Sequence, residues 1–293
     1  MYDLTSLVKR HILNFLRDKS AVFFSFLSVL ILLALYFLFI GRQYTDSDGL
    51  AFLDENTKTY LTAGIMMGGV LIINTASLSL GMMGNLINDL SQRKLDGFLV
   101  TPVKRYKIIL SYYISSILVT AILTIFMWFL TFLYVGIFSG YWYSFKVFIE
   151  VSLLVTFFTF ISSTLMIYLT TMIKSINAFG ALSGVLGTFI GFTSGIYMPL
   201  FLLGKSMTYV ASLIPFTHMA IILKGILLEG PYEILAQTIS PEGMASVETS
   251  FGSAEIGVLG MDVPMWIIMA STVGIAFLFL FLSYRNMNKK IGK

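Results

Sequence analysis

Apolar residues come in long unbroken runs, and charge gathers between them. Ala21 to Ile40 is an uncharged run of 20 residues. Further runs cover about 61–84, 108–138, 147–173 (with Glu150 near its start), 178–200 and 263–284. Each reaches the roughly 20 residues that cross a hydrocarbon core about 30 Å thick at a rise of about 1.5 Å per residue. The pattern predicts an all-α integral membrane protein, with residues 1–293 forming one transmembrane domain of six spans.

Three stretches break this rhythm. In residues 1–20, Leu4, Leu7, Val8, Ile12, Phe15 and Leu16 recur at helical spacing, with Lys9, Arg10, Asn14 and Arg17 opposite. This predicts an amphipathic helix on the membrane surface; an ordinary basic flank carries the same charges. No small-residue cleavage site follows the first apolar run, so the segment does not read as a cleaved signal. Met207 to Leu223 is uncharged but only 17 residues long, and Pro215 interrupts it. Residues 201–229 are therefore expected to dip into the membrane and return, with Pro199, Pro215, Phe216 and His218 lining a gate. Irregular backbone is tolerated there only where protein or water satisfies it. The alternative is a helix lying on the outer surface. Residues 230–262, rich in Gly, Ser and acidic side chains, are expected to form an external loop.

Composition narrows the chemistry. The chain has 293 residues, 57% hydrophobic and 12% charged, against about 25% charged in soluble domains. With no cysteine, disulfides and thiolate chemistry are excluded. Neither of the two histidines, His11 and His218, has metal-ligand spacing to a second ligand. Residues 199–206, "PLFLLGKS", approach a phosphate-binding loop, but Pro199 replaces its first Gly and no strand precedes it. No catalytic, cofactor or metal site is expected. The net charge of +4 is no signal for nucleic acid.

Charge placement sets orientation. With six spans, one side collects 14 of the 19 Lys and Arg residues: those of 1–20, 85–107, Lys174 and the tail from Arg285. The other side holds Arg42, Lys58, Lys146, Lys205 and Lys224, together with most of the acids. The positive-inside rule then places both termini and the 85–107 loop in the cytoplasm.

That loop reads "NDLSQRKLDGFLVTPVKRYK" over 88–107. Apolar Leu90, Leu95, Phe98, Leu99, Val100 and Val103 alternate with charges, and Pro102 stops a helix. By charge alone this is a topogenic loop. The stretch "LDGFLVTPVKRYKIIL" resembles the first cytoplasmic loop of type-2 permeases of ABC transporters, with Leu95, Asp96, Leu99, Thr101, Pro102 and Val103 matching and Phe98 a conservative change. "SGIYMPLFLL" at 194–203 and "LIPFTHMAIILKGILL" at 213–228 resemble later motifs of the same family, in the same order. The Gly-Thr of the family signature is Arg93-Lys94 here, and Ser91 replaces its usual Glu, although Asp89 and Asp96 keep acidic groups nearby.

The resemblance implies the membrane subunit of an ATP-driven exporter in a bacterial plasma membrane. Two copies of a separate ATP-binding cassette subunit would carry ATP and Mg, and a second permease copy or a related permease would complete the pathway within the lipid. Asp89, Arg93, Leu95, Asp96, Phe98, Leu99, Thr101 and Pro102 would form or flank a coupling helix docked on the ATPase. The cargo implied is hydrophobic or amphipathic: a drug, peptide, lipid or glycolipid. A secondary transporter without an ATPase is the alternative; it predicts inverted repeats, and only one interrupted segment is visible.

Glycines 180, 184, 187, 191 and 195 recur at G-x-x-x-G spacing, which lets helices approach closely in lipid. Gly187, Gly191 and Gly195 read as a permease–permease interface or as packing within one chain; the resemblance implies the former. Lys224 reads as a side chain reaching outer water. Asn74, Thr75, Ser77 and Ser79 read as interhelical bonding ahead of a cargo-facing surface.

Overall fold

The computed structural model describes residues 2–20, 22–23, 27, 31, 53–99, 103–173, 175–197 and 200–291. The first expected span lies almost wholly outside them. The named elements are α1 (Tyr2–Arg17), α2 (Glu55–Ser91), α3 (Lys94–Leu99), α4 (Arg105–Ser139), α5 (Phe145–Met172) and α6 (Ile176–Thr193). A 3₁₀ turn (Leu200–Leu203) leads to α7 (Gly204–Ser212), α8 (Pro215–Leu235), α9 (Pro241–Phe251) and α10 (Met265–Ile291). Among the described residues, α2, α4, α5, α6 and α10 are long and apolar enough to cross a membrane. They coincide with the second to sixth expected runs.

The five are not equivalent. α2 is almost entirely enclosed by its neighbours, whereas α6 and α10 are largely open on their flanks. Sequence explains the difference. α2 starts where the Asp54 carboxylate accepts the Thr57 N–H, which satisfies one orphan donor of the first turn. Its interior sets small and hydroxyl-bearing residues (Gly64, Gly68, Gly69, Thr75, Ser79) among bulky Leu, Ile and Met. The former let other helices come close and bond to it.

Two contacts follow. α8 runs antiparallel to α2, with Gly64 beside Leu228, Gly68 beside Lys224, and Tyr60 beside Gly230. A methyl group at Gly64 would lie 2.8 Å from Leu228 Cδ2, and one at Gly68 would lie 2.8 Å from the Lys224 backbone N. On other faces of α2, Asn74 Nδ2 donates to Thr124 Oγ1 at 3.2 Å, and Thr75 bonds Ser162 at 3.0 Å. Ser79 bonds Ser163 at 2.8 Å, and Ser163 also meets Ser116 at 3.1 Å. This buried seam ties α2, α4 and α5 together. Ser77 takes no part; it lines a cavity of about 140 Å³ against α6.

α7 and α8 meet at a bend of 94°. Pro215 sits in the first turn of α8, where its missing N–H costs nothing. Thr217 Oγ1 lies 2.8 Å from the carbonyls of both Thr193 and Ala211, which share its one proton, and the His218 ring meets the Ser212 carbonyl at 2.8 Å. Phe216 and His218 are buried. The break is therefore satisfied internally. α8 continues past residue 229 to Leu235, and 230–262 is not plain loop. Ser240 caps α9, Pro241 opens it, and Gly252 ends it in the left-handed region at φ 69°.

The close α2–α8 contact generates a test. Gly68→Ala drives a methyl group into backbone, and overpacking of this kind costs about 1–3 kcal/mol. The purified protein should melt several degrees lower. Gly84→Ala places its methyl group 3.6 Å from Phe179, an ordinary contact, and should leave the melting temperature unchanged or raised. Equal behaviour of the two variants in thermal unfolding refutes the packing argument.

Candidate functional site

At the basic end of the spans, three elements meet around one carboxylate. Asp89, in the last turn of α2, is only 4% exposed. Arg10 Nη2 of α1 donates to its Oδ2 at 2.9 Å, and the Tyr112 hydroxyl of α4 donates to the same oxygen at 2.6 Å. Charge-assisted bonds of this kind are short and strong. Beside them the His11 ring stacks on Tyr112 with centroids 3.8 Å apart. His11 Nε2 lies 3.0 Å from Ser111 Oγ. Ser111 spends its proton on the Ile108 carbonyl at 2.6 Å, so Nε2 donates and the ring is neutral. Burial depresses the His11 pKa to about 4, and the Arg10 cation acts in the same direction. Farther out, Lys107 Nζ pairs with Asp3 at 3.0 Å.

The amphipathic N-terminal helix is thus a packed part of the protein. Leu7, Val8 and Phe15 bury their side chains, but so does His11. The sequence shows the apolar stripe; it does not show that Arg10 and His11 have partners 79 and 100 positions away. Asp89, expected on the ATPase-facing element, is instead enclosed by α1 and α4. Its long-range signal was present only as an acid in a basic loop.

α2 ends through Gln92, and Arg93 takes a left-handed conformation at φ 51°. This position after a helix usually belongs to glycine, and glycine is what the resembling family places there. α3 follows at once. Arg93, Lys94 and Gly97 are exposed, while Leu95 is 3% exposed and joins the main core. Leu95 was expected as a docking anchor; α3 folds back on the bundle, and Leu95 fastens it there. Asp96, Phe98 and Leu99 lie in α3. Thr101 and Pro102 lie outside the described residues, as does Pro199.

The glycines of α6 separate into two groups. Methyl groups at Gly180, Gly184 and Gly187 would meet nothing within 4 Å. Gly191 is covered by the Tyr197 ring, and Gly195 turns the chain at φ 68°. Gly191 and Gly195 therefore serve a turn within this chain, whereas Gly187 faces the cavity beside Ser77. The G-x-x-x-G pair that closes a visible helix contact is Gly64 and Gly68. Its spacing is legible in the sequence, as is that of the longer glycine series of α6.

At the other end, Lys224 does not reach water. It is 2% exposed, and its Nζ donates to the Phe251 carbonyl at 3.1 Å, at the C-terminus of α9. A cation there complements the helix dipole. The sequence placed Lys224 near an outer boundary; α9, which covers it, was expected as loop.

Two measurements probe the basic end. Asp89→Ala removes two bonds to a charged acceptor, each typically about 1.5–3 kcal/mol, with Arg10 partly screened by water. A stability loss of about 2 kcal/mol and release of α1 to proteolysis are expected; an unchanged α1 cleavage rate refutes the arrangement. For His11, the folded pKa lies below the ordinary 6.5, so the unfolded chain binds more protons between about 6.5 and 4. Its contribution is fully present above about pH 6.5 and fades as pH falls towards 4. His11→Phe should flatten that part of the stability profile.

Among curated proteins, none matches this chain. The family model described as ABC-2 type transporter matches residues 2–228, from α1 through the break at Pro215 and most of α8. The apolar spans agree with that assignment. The chain belongs to the ABC-2 type transporter family, as a multi-pass membrane transport subunit.

Proposed function

We propose that the chain is the permease of an ATP-driven exporter and that α3 is the element through which a separate ATPase acts. The observation that carries this reading is the junction at the basic end. A short helix with exposed Arg93, Lys94 and Gly97 is held by Leu95 to the bundle, one turn after Asp89 joins α2 to α1 and α4. A push on α3 reaches three helices at once, since packed elements shift as units. The ATP-binding cassette subunits, two per transporter, would supply ATP and Mg. A second permease copy, or a relative, would complete the pathway. The open flank of α6, where Gly180 and Gly184 are exposed, is available for that contact. The bent α7–α8 pair, with Pro215, Phe216 and His218 at the break, would gate the outer end. The cargo class is hydrophobic or amphipathic, and the basic end faces the cytoplasm.

Two experiments test this. Full-length protein pulled from its own membranes should bring an ATP-binding cassette subunit with it, while the chain alone should hydrolyse ATP only at background. Lys94→Glu should reduce recovery of that subunit at least fivefold at equal permease expression, and Leu95→Ala should lower permease stability. Arg93→Gly should stay coupled and gain stability, because glycine relieves a left-handed conformation costing about 1–2 kcal/mol. A chain that transports with no ATPase in the preparation would overturn the proposal. For orientation, single cysteines at the exposed positions Ser246 and Ser91 should differ in intact cells. An impermeant thiol reagent should label Ser246→Cys and spare Ser91→Cys; the reverse result inverts the topology.

A further inference from the structure

Near the acidic end, α7, α8, α9 and the chain after α9 enclose a cavity of about 370 Å³. Leu200, Ile221 and Ile256 give it apolar walls, and Lys205 and Tyr209 bring polar groups. Among the described residues no carboxylate lines it. Gly252 is also part of the wall, and a methyl group there would lie 3.1 Å from Lys224 Nζ. The buried amine therefore lies directly behind the cavity, one turn along α8 from Ile221.

Lys224 is poorly compensated. An ammonium group has three donors, and among the described residues this one has a single acceptor, the Phe251 carbonyl. Among the described residues no carboxylate lies within ion-pair distance of it. A buried charge in such a setting is costly unless paired. A second cation, Lys205, lies on the same cavity. Apolar walls, one lining amine and a second amine behind Gly252, with no acid among the described lining residues, favour an anionic amphiphile.

We infer that this cavity binds an amphiphile with a single anionic head, the head directed towards Lys224 and Lys205 and the tail along Leu200, Ile221 and Ile256. The head is a carboxylate or phosphate, carried by a free amphiphile or by a lipid. Gly252 permits the approach, since a side chain there would stand between the cavity and the amine. The bonds Tyr232–Ser253 at 2.6 Å and Leu259 N–H to Ser212 Oγ at 3.0 Å hold the covering segment to α8 and α7. The inference goes beyond the permease reading and needs no ATPase.

The test is binding of 11-(dansylamino)undecanoic acid to the full chain in phosphatidylcholine nanodiscs, with empty discs as background. Saturable binding is expected. The methyl ester of the probe should bind at least tenfold more weakly, and Lys224→Met should weaken the acid at least tenfold, which corresponds to about 1.4 kcal/mol. Lys146→Met, at an exposed lysine elsewhere, should change nothing. Because Lys224→Met risks misfolding, Ala254→Phe, which fills the cavity and keeps both amines, should also abolish binding. Phosphatidylglycerol in the discs displaces the probe if a lipid head is the natural occupant and leaves it bound if a free amphiphile is. Equal binding of acid and ester, or unchanged binding in folded Lys224→Met or Ala254→Phe, overturns the inference. Absence of an ATPase partner would leave this binding intact, and loss of binding would leave the partner intact.

Discussion

The close approach of α8 to α2 is the contact on which the half of this protein opposite the basic end depends. Within a membrane, helices gain little from hiding apolar surface from lipid, and association rests on packing and internal bonds. Gly64 and Gly68 remove the side chains that would hold the two backbones apart, and Gly230 does the same opposite Tyr60. With α8 seated there, Pro215 and the 94° break stand against the end of α6, and Lys224 is carried under α9.

The other faces of α2 bind by hydrogen bonds. A hydroxyl buried among apolar side chains is costly unless paired, and several Asn, Ser and Thr side chains of α2, α4 and α5 pair across the helices. The same helix thus uses absence of side chains on one face and short polar side chains on others. That makes α2 an axis between the α7–α9 cap and the basic end. At the basic end it finishes on Asp89, whose carboxylate recruits Arg10 from α1 and Tyr112 from α4. α3 and the region of the break at Pro215 are therefore joined by one continuous helix of 37 residues.

Charge is handled differently at the two ends. Asp89 has a cation and a hydroxyl, so its burial is balanced. Among the described residues Lys224 has only a carbonyl. A balanced charge fastens a structure; an unbalanced one beside a cavity invites a ligand. This contrast separates the structural junction from the binding site.

The sequence by itself determined the membrane class, the positions of five described spans, the amphipathic N-terminal helix and the interruption at Pro215. All of these rest on local periodicity, run length and the missing N–H of proline, which act within a few residues. It also carried the family resemblance, which lies in ordered short motifs. Only the tertiary structure decided which helix is central, which glycines close a contact, and where charges end. Gly64 and Gly191 have the same local signature, yet one meets α8 and the other a ring six positions on. Arg10 and Lys224 read alike as basic residues at a membrane boundary; one is neutralised by Asp89 and the other is sealed beneath Phe251. Leu95 reads as an exposed anchor and is core. Those outcomes depend on partners tens of residues away, and a periodic pattern holds no record of which face meets which.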